Sequence, residues 1–396
     1  MTDQRAVIIG AGLAGAQCAI GLREGGWTGP VTLVGAEPHR PYDRPPLSKG
    51  VLSGEIEGTE FELDWERLDV ELLLGRTATG LAPGELATDA GPVGYDHLVI
   101  ATGAAAVTLP GAVRALRTVD DSRAIRAELR PGLRLVLVGA GWIGAETATA
   151  AKALGCEVTV LEAAAAPLAG ALPAELTAPM VRWYAEAGVD LRLGARVAAV
   201  EPGAVRLADG TELAADLVVV GIGARPDTRW LAGSGLELDR TGAVLADDRL
   251  RTSLPGVWAA GDCVSYPSAR SGERITVQHW DHALRSGRAV AAGLLGADQP
   301  YDPVPYFWSE QFGRMVQYVG RHRDGDELLW RGSPDQPAWT ALWLREGALS
   351  AVLTVGSPRD FAQGRRLVEH GTLIDPALAA DPAVPLKTAV GAVAAG

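Results

Sequence analysis

The sequence predicts an α/β chain built on two Rossmann-like dinucleotide-binding units, the second inserted within the first. Three observations predict it. A strand, Gly-rich turn, helix, strand and acid follow one another near the start, and the same order recurs in mid-chain. Short apolar runs that could close each unit lie further along. At 396 residues the chain exceeds what one hydrophobic core usually supports, so two or three domains are expected.

In the first unit, Arg5 to Ile9 reads as a buried strand, followed by the turn Gly10-Ala11-Gly12-Leu13-Ala14-Gly15. Ala16 to Arg23 reads as helix, Val31 to Val34 as the second strand, and Glu37 as the acid. In the second unit, the strand from Leu135 runs into Gly139-Ala140-Gly141-Trp142-Ile143-Gly144, then an Ala-rich helix, a strand Val158 to Leu161, and Glu162. The first glycine permits the tight turn, and the second lets backbone N–H groups approach a pyrophosphate. The third lets helix and strand pack closely, and the acid accepts hydrogen bonds from a ribose. A Gly-rich turn alone is a weak signal. Here the flanking strand, helix and acid agree in both copies, which points to two different dinucleotides.

Between the units, Pro38 to Lys49 is a loop stiffened by prolines, with Arg44 and Lys49 adding positive charge. His97 to Ile100 forms a strand ending in Ala101-Thr102-Gly103, and Leu217 to Val220 one ending in Gly221-Ile222-Gly223. Each closes its unit beside its own nucleotide. Val257 begins another short strand with Asp262 at its end, where a carboxylate can accept from polyol hydroxyls. A helical run from Gln278-His279-Trp280 to Leu295 follows, whose N-terminal dipole can face a ligand carbonyl.

Composition narrows the function classes. The net charge of −12 argues against nucleic acid as a partner. Cys18, Cys156 and Cys263 are far apart in sequence, which disfavours disulfide chemistry. The six histidines show no metal spacing, and no metal site is expected. No apolar run reaches membrane-spanning length, and the opening strand leaves no room for a signal peptide. A cytoplasmic protein with no membrane partner is expected.

GAGLAG with Glu37, RPPLSK, ATG, GAGWIGAE, GIGARPD, VWAAGDC and PYFWSEQFG occur in that order. Together they resemble the FAD-dependent NAD(P)H:ferredoxin reductases that serve haem monooxygenases and Rieske-type dioxygenases. The resemblance implies an FAD domain over 1–112 and 242–303, an NAD domain over 113–241, and a C-terminal α+β domain over 304–396 that covers the flavin. It implies that Gly10, Gly12, Leu13, Ala14, Gly15, Glu37, Arg44, Lys49, Ala101, Thr102, Gly103, Asp262, Gln278, His279 and Trp280 bind FAD. Gly139, Gly141, Trp142, Ile143, Gly144, Glu162, Gly221, Ile222 and Gly223 would bind the nicotinamide dinucleotide. Lys49 and Glu146 would pair near the reactive flavin nitrogen, with Trp280 beside the ring and Trp308 near its exposed edge. In related disulfide reductases a redox-active cysteine pair occupies the region of Arg44 to Lys49, and related oxidases and peroxidases carry one cysteine there. This chain has none.

The resemblance implies electron flow from NADH through FAD to a ferredoxin. A flavin NADH oxidase or monodehydroascorbate-type reductase with a small acceptor is one alternative. A non-catalytic protein resembling apoptosis-inducing flavoproteins is another. Glu162, followed by four alanines and Pro167 rather than an Arg, favours NADH over NADPH. Arg40, Arg44, Arg285, Arg288 and Arg314 are candidates for a local basic face toward an acidic ferredoxin.

Overall fold

The structure is a computed structural model that describes residues 3–391. The outermost residues of the domains expected over 1–112 and 304–396, namely 1, 2 and 392–396, lie outside the described residues. The described chain divides into two compact units. The first takes the residues up to Arg44, then Thr59–Ala105 and Ala224–Pro305, and the second takes Pro45–Gly58, Ala106–Gly223 and the residues from Tyr306 onward.

The first unit is built on a parallel sheet in the order Val257–Ala259, His97–Ile100, Ala6–Ile9, Val31–Gly35, Glu71–Leu74. Ala6–Ile9 is buried throughout, as a central parallel strand covered on both faces must be. Its register sets Ile9 against Val34 on one side and Ile100 on the other, so three strands end together beside Gly10. The helix Leu13–Glu24 packs against the helix Trp280–Leu294 through small residues. A Cβ on Gly287 would strike the Ala14 carbonyl, and one on Gly21 would lie 2.9 Å from the Ala291 methyl. That close crossing brings the start of the later helix to the Gly-rich turn. The helix begins at Trp280 rather than at Gln278. His279 is extended (φ −131°, ψ 151°) and serves as its N-cap, so Gln278 and His279 precede the helix.

The second unit repeats the parallel plan in the order Asp190–Leu193, Glu157–Glu162, Arg134–Val138, Leu217–Val220, Arg114–Ala115. The same unit holds a five-stranded antiparallel sheet ordered Tyr306–Gln311, Arg314–Gly320, Ala348–Val355, Trp339–Arg345, Glu327–Arg331. Trp339 and Trp343 are both 2% exposed and pack with Leu176, Met180 and Trp183 of the helix Ala174–Glu186. Arg331, also buried, pairs with Asp360 at 2.7 Å and donates to the carbonyls of Ala379, Asp381 and Val384. The buried guanidinium is satisfied by these acceptors, as a buried charge must be. Among the described residues no helix is long and apolar enough to cross a membrane.

Candidate active site

The two Gly-rich turns have the same backbone conformation. Gly10 and Gly139 adopt φ +110° and +105°, a region that favours glycine. Gly12 and Gly141 cap their helices with identical angles, φ −80° and ψ −172°. A Cβ on Gly15 would strike the Gly10 carbonyl, and one on Gly144 the Gly139 carbonyl. Gly12 differs, because a Cβ there would meet nothing within 4 Å. Internal packing therefore requires the first and third glycines, whereas the middle one leaves room for an occupant at a helix N-terminus. That cradle fits a pyrophosphate.

In the first unit Glu37 follows the strand Val31–Gly35. It accepts from Arg44 at 2.7 Å and from the Tyr42 hydroxyl at 2.6 Å. Arg44, which the resemblance assigns to FAD, is thus engaged with the acid. Leu13 and Ala14 open the helix, and a Cβ on Gly261 would approach the Ala14 methyl to 2.9 Å. Ala101 donates to the Ile9 carbonyl at 2.7 Å, and the Thr102 hydroxyl donates to the Asp227 carbonyl at 2.7 Å. The Gly103 carbonyl accepts from the Asp227 N–H at 3.0 Å, which ties the strand end to the returning chain. Asp262 lies in a short 3-10 turn, Gly261–Cys263, just beyond the strand Val257–Ala259. Gln278 is exposed, and the Trp280 indole donates to Asp43 at 2.7 Å. Burial lowers the pKa of His279.

In the second unit Glu162 accepts from the N–H groups of Ala140 and Ala164, each at 2.8 Å. These bonds fix the carboxylate at the turn and leave lone pairs for a ribose. No cation pairs with Glu162 among the described residues. Ile143 and Ile222 are exposed beside Gly141 and Gly221, 42% and 39%, as apolar walls with no protein cover. Gly221 closes the turn from the next strand, since a Cβ on Gly139 would strike its carbonyl, and Gly223 follows at φ +113°. Trp142 instead packs edge-on against Phe307, with ring centroids 4.7 Å apart.

Lys49 and Glu146 meet in this unit. The Lys49 ammonium lies 2.6 Å from Glu146 Oε2, and Glu146 is 4% exposed. The Ser48 hydroxyl donates to the same oxygen at 2.5 Å, and the Ser309 hydroxyl donates to Oε1 at 2.6 Å. The resemblance implied the pair but not the two serines, although both sit inside the quoted RPPLSK and PYFWSEQFG motifs. One helix face explains the arrangement. Trp142, Glu146 and Thr149 are spaced four and three apart on the helix Trp142–Ala153, so they share a stripe. That stripe meets Phe307, Ser309 and Phe312 in turn, the last through its N–H to Thr149 Oγ1 at 2.9 Å. Phe312 holds φ +49° in the hairpin turn, a conformation costly for an aromatic residue that the Thr149 bond helps to fix.

The cysteines offer no redox pair. Cys18, Cys156 and Cys263 are free and buried, and burial pushes the Cys263 thiol up to about 11. Among the described residues no cluster of His, Cys, Asp and Glu could hold a metal. Of the candidate docking arginines, Arg314 pairs with Glu186 at 2.5 Å and lies over the Trp183 ring. Arg285 lies 2.7 Å from Asp281 as an ion pair, without a well-aligned hydrogen bond from Nε. Arg288 donates to Gln17, and Arg40 is exposed.

Residues 4–287 match the pyridine nucleotide-disulphide oxidoreductase family, and residues 306–390 match the reductase C-terminal family. The ferredoxin reductase component of chlorobenzene dioxygenase from Cupriavidus sp. (strain PS12) is 40% identical over 391 residues, covering 94% of each chain. The crystal structure of Fdr9 is 46% identical with a TM-score of 0.92, covering 97% of this chain and 99% of that one. The reductase in the crystal structure of the covalent putidaredoxin reductase–putidaredoxin complex is 33% identical with a TM-score of 0.94, covering 98% of each. With two matching turns, two acids and relatives that span nearly its whole length, this chain belongs to the FAD-dependent NAD(P)H:ferredoxin reductases of the pyridine nucleotide-disulphide oxidoreductase family.

Proposed function

We propose that this chain oxidises NADH and delivers the electrons, through FAD, to a ferredoxin that serves a dioxygenase or haem monooxygenase. The duplicated Gly-rich turn carries the reading, because one chain then holds a flavin dinucleotide and a nicotinamide dinucleotide. A bound flavin accepts two electrons from NADH and releases them singly to an iron–sulfur protein. No thiol is needed, which suits three buried cysteines.

The chain's own residues bind and orient. Gly10, Gly12, Leu13, Ala14, Gly15, Glu37, Ala101, Thr102, Gly103 and Asp262 are assigned to FAD, with Arg44 orienting Glu37. His279 and Trp280, at the start of their helix, are assigned to the flavin ring, toward which the helix dipole would point. Gly139, Gly141, Ile143, Gly144, Glu162, Gly221, Ile222 and Gly223 are assigned to NADH. Trp142 supports that turn through Phe307. Lys49, which the resemblance assigns to FAD, is held by Glu146. The domains run over 1–112 with 242–303 for FAD, 113–241 for NAD and 304–396 for the C-terminal part. The two parallel sheets and the antiparallel sheet from Tyr306 support that division. A cytoplasmic location, where NADH is regenerated, belongs to the same reading.

Purified protein should be yellow and release FAD, and NADH should drive cytochrome c reduction that an added ferredoxin accelerates. Recovery of FMN would overturn the cofactor assignment. Dye or dioxygen reduction that no ferredoxin accelerates would favour a small-acceptor oxidase.

A further inference from the structure

We propose that Tyr301 and His282 form a positioning relay that fixes the Gly261 peptide and so aims Asp262 at the polyol chain of the flavin. The proposal rests on the assignment of Asp262 to FAD made above. His282 lies on the first turn of the helix Trp280–Leu294 and is 3% exposed. Its Nε2 is 3.2 Å from the Gly261 carbonyl, and its Nδ1 is 2.9 Å from the Tyr301 hydroxyl. A carbonyl can only accept, so the ring proton sits on Nε2. Burial pushes the His282 pKa down to about 4, which leaves a single ring proton at neutral pH. Nδ1 therefore accepts from Tyr301, whose hydroxyl also lies 3.4 Å from the His282 carbonyl. The ring stacks on Tyr266 at 5.4 Å and 6°, and Tyr301 meets its edge, so its plane is fixed.

The same helix holds the other side of Gly261, whose N–H donates to the Ser286 hydroxyl at 2.9 Å. Gly261 has φ +75°. Both of its polar backbone groups are thus reached by side chains of one helix, the carbonyl accepting also from the Val264 N–H of its own turn, and the next residue is Asp262. A rotation of this peptide would swing the carboxylate, and small misplacements of a binding group carry large costs. A buried histidine that merely fills core space is the competing account. The anchoring of Tyr301 separates the two, because its backbone N–H donates to the Asp248 carbonyl at 2.6 Å. Removing only the hydroxyl leaves that anchor in place.

The test uses the holoenzyme and follows flavin fluorescence as FAD leaves on dilution. Tyr301→Phe is expected to release FAD about tenfold faster, the equivalent of ~1.4 kcal/mol for one hydrogen bond. His282→Leu should do the same. His282→Gln, which keeps a donor and an acceptor, should stay within about twofold of the natural protein, well under one hydrogen bond. Histidine nitrogen shifts should report the proton on Nε2 of His282. Raising free FAD about tenfold should restore the melting temperature of Tyr301→Phe, since ligand binding and stability are linked. The relay is overturned if Tyr301→Phe releases FAD at the natural rate while Asp262→Ala releases it faster. It is also overturned if the proton sits on Nδ1, or if the melting temperature stays low at every FAD concentration. Natural release from Asp262→Ala would instead overturn the assignment of Asp262 itself. If His282→Leu fails to fold, Tyr301→Phe decides.

Discussion

The Ser309 hydroxyl donates to Glu146 Oε1 at 2.6 Å, so the carboxylate that holds Lys49 is itself held from the C-terminal sheet. With Ser48 and Lys49 on Oε2, both oxygens of a nearly inaccessible carboxylate are satisfied. Such a group tolerates the loss of a partner poorly, because water cannot replace it.

Lys49→Met should therefore be the severe change at this site. Removing one partner of a buried pair costs ~3–5 kcal/mol, and the 24% exposure of Lys49 places this case toward the low end. Ser309→Ala should cost less, roughly 1–3 kcal/mol for a buried acceptor left short of a donor. Stopped-flow measurement of flavin reduction by NADH should show both variants slowed, Lys49→Met more. Natural rates in both would make Lys49 an ordinary loop cation.

NADH should be preferred over NADPH by about tenfold to hundredfold in kcat/KM, since like charges brought together cost several kcal/mol. The like charge is Glu162, held at the turn by Ala140 and Ala164. Glu162→Gln should narrow the ratio by weakening the repulsion. Side-by-side kinetics with equal efficiency for both donors in the natural protein would refute the assignment.

Gly287→Val should disrupt the helix crossing beside the first turn. Its side chain would collide with the Ala14 backbone, which cannot yield as a flexible side chain could. Overpacking of this kind costs about 1–3 kcal/mol or more. We expect a lower melting temperature together with loss of flavin, whereas Gly26→Val, with no neighbour within 4 Å but φ +87°, should lose stability without losing flavin. Retention of flavin by Gly287→Val would show that the crossing does not govern that site.

Stability should fall as pH drops from 6.5 toward 4, with His282 as one cause. Burial lowers its pKa from 6.5 to about 4, so over that window the unfolded chain binds a proton the folded chain does not. The folded state loses stability through the window and the loss levels off below it, at roughly 3 kcal/mol for about 2.5 units. Asp262 opposes this shift and His279 adds slightly to it. His282→Gln should flatten the decline in melting temperature between those pH values. An unchanged slope would mean that His282 does not titrate in the unfolded chain alone.

Arg40→Glu and Arg288→Glu should slow ferredoxin reduction, lessen its salt dependence and leave reduction of a small neutral dye unchanged, since rim charges act mainly on association. Arg44, Arg285 and Arg314 are engaged with Glu37, Asp281 and Glu186, so changing them would disturb the fold as well as the surface. If dye and ferredoxin activities fall together, the docking face lies elsewhere.

The sequence alone determined the two dinucleotide turns, because their chemistry is local. Gly10 and Gly139 need φ values that few other residues accept, and each acid stands at or just past the end of its unit's second strand. The strands beside them were legible for a related reason, since a central parallel strand must be apolar on both faces. The start of the helix at Trp280 was misread by two residues, because an N-cap is defined by its extended backbone and not by composition. What only the tertiary structure decided are partnerships across long chain separations. Ser309 reaches Glu146, Arg44 pairs with Glu37, and Tyr301 reaches Nδ1 of His282. Such bonds depend on which faces the packed helices and strands present, and periodicity in one segment carries no record of the segment that will meet it.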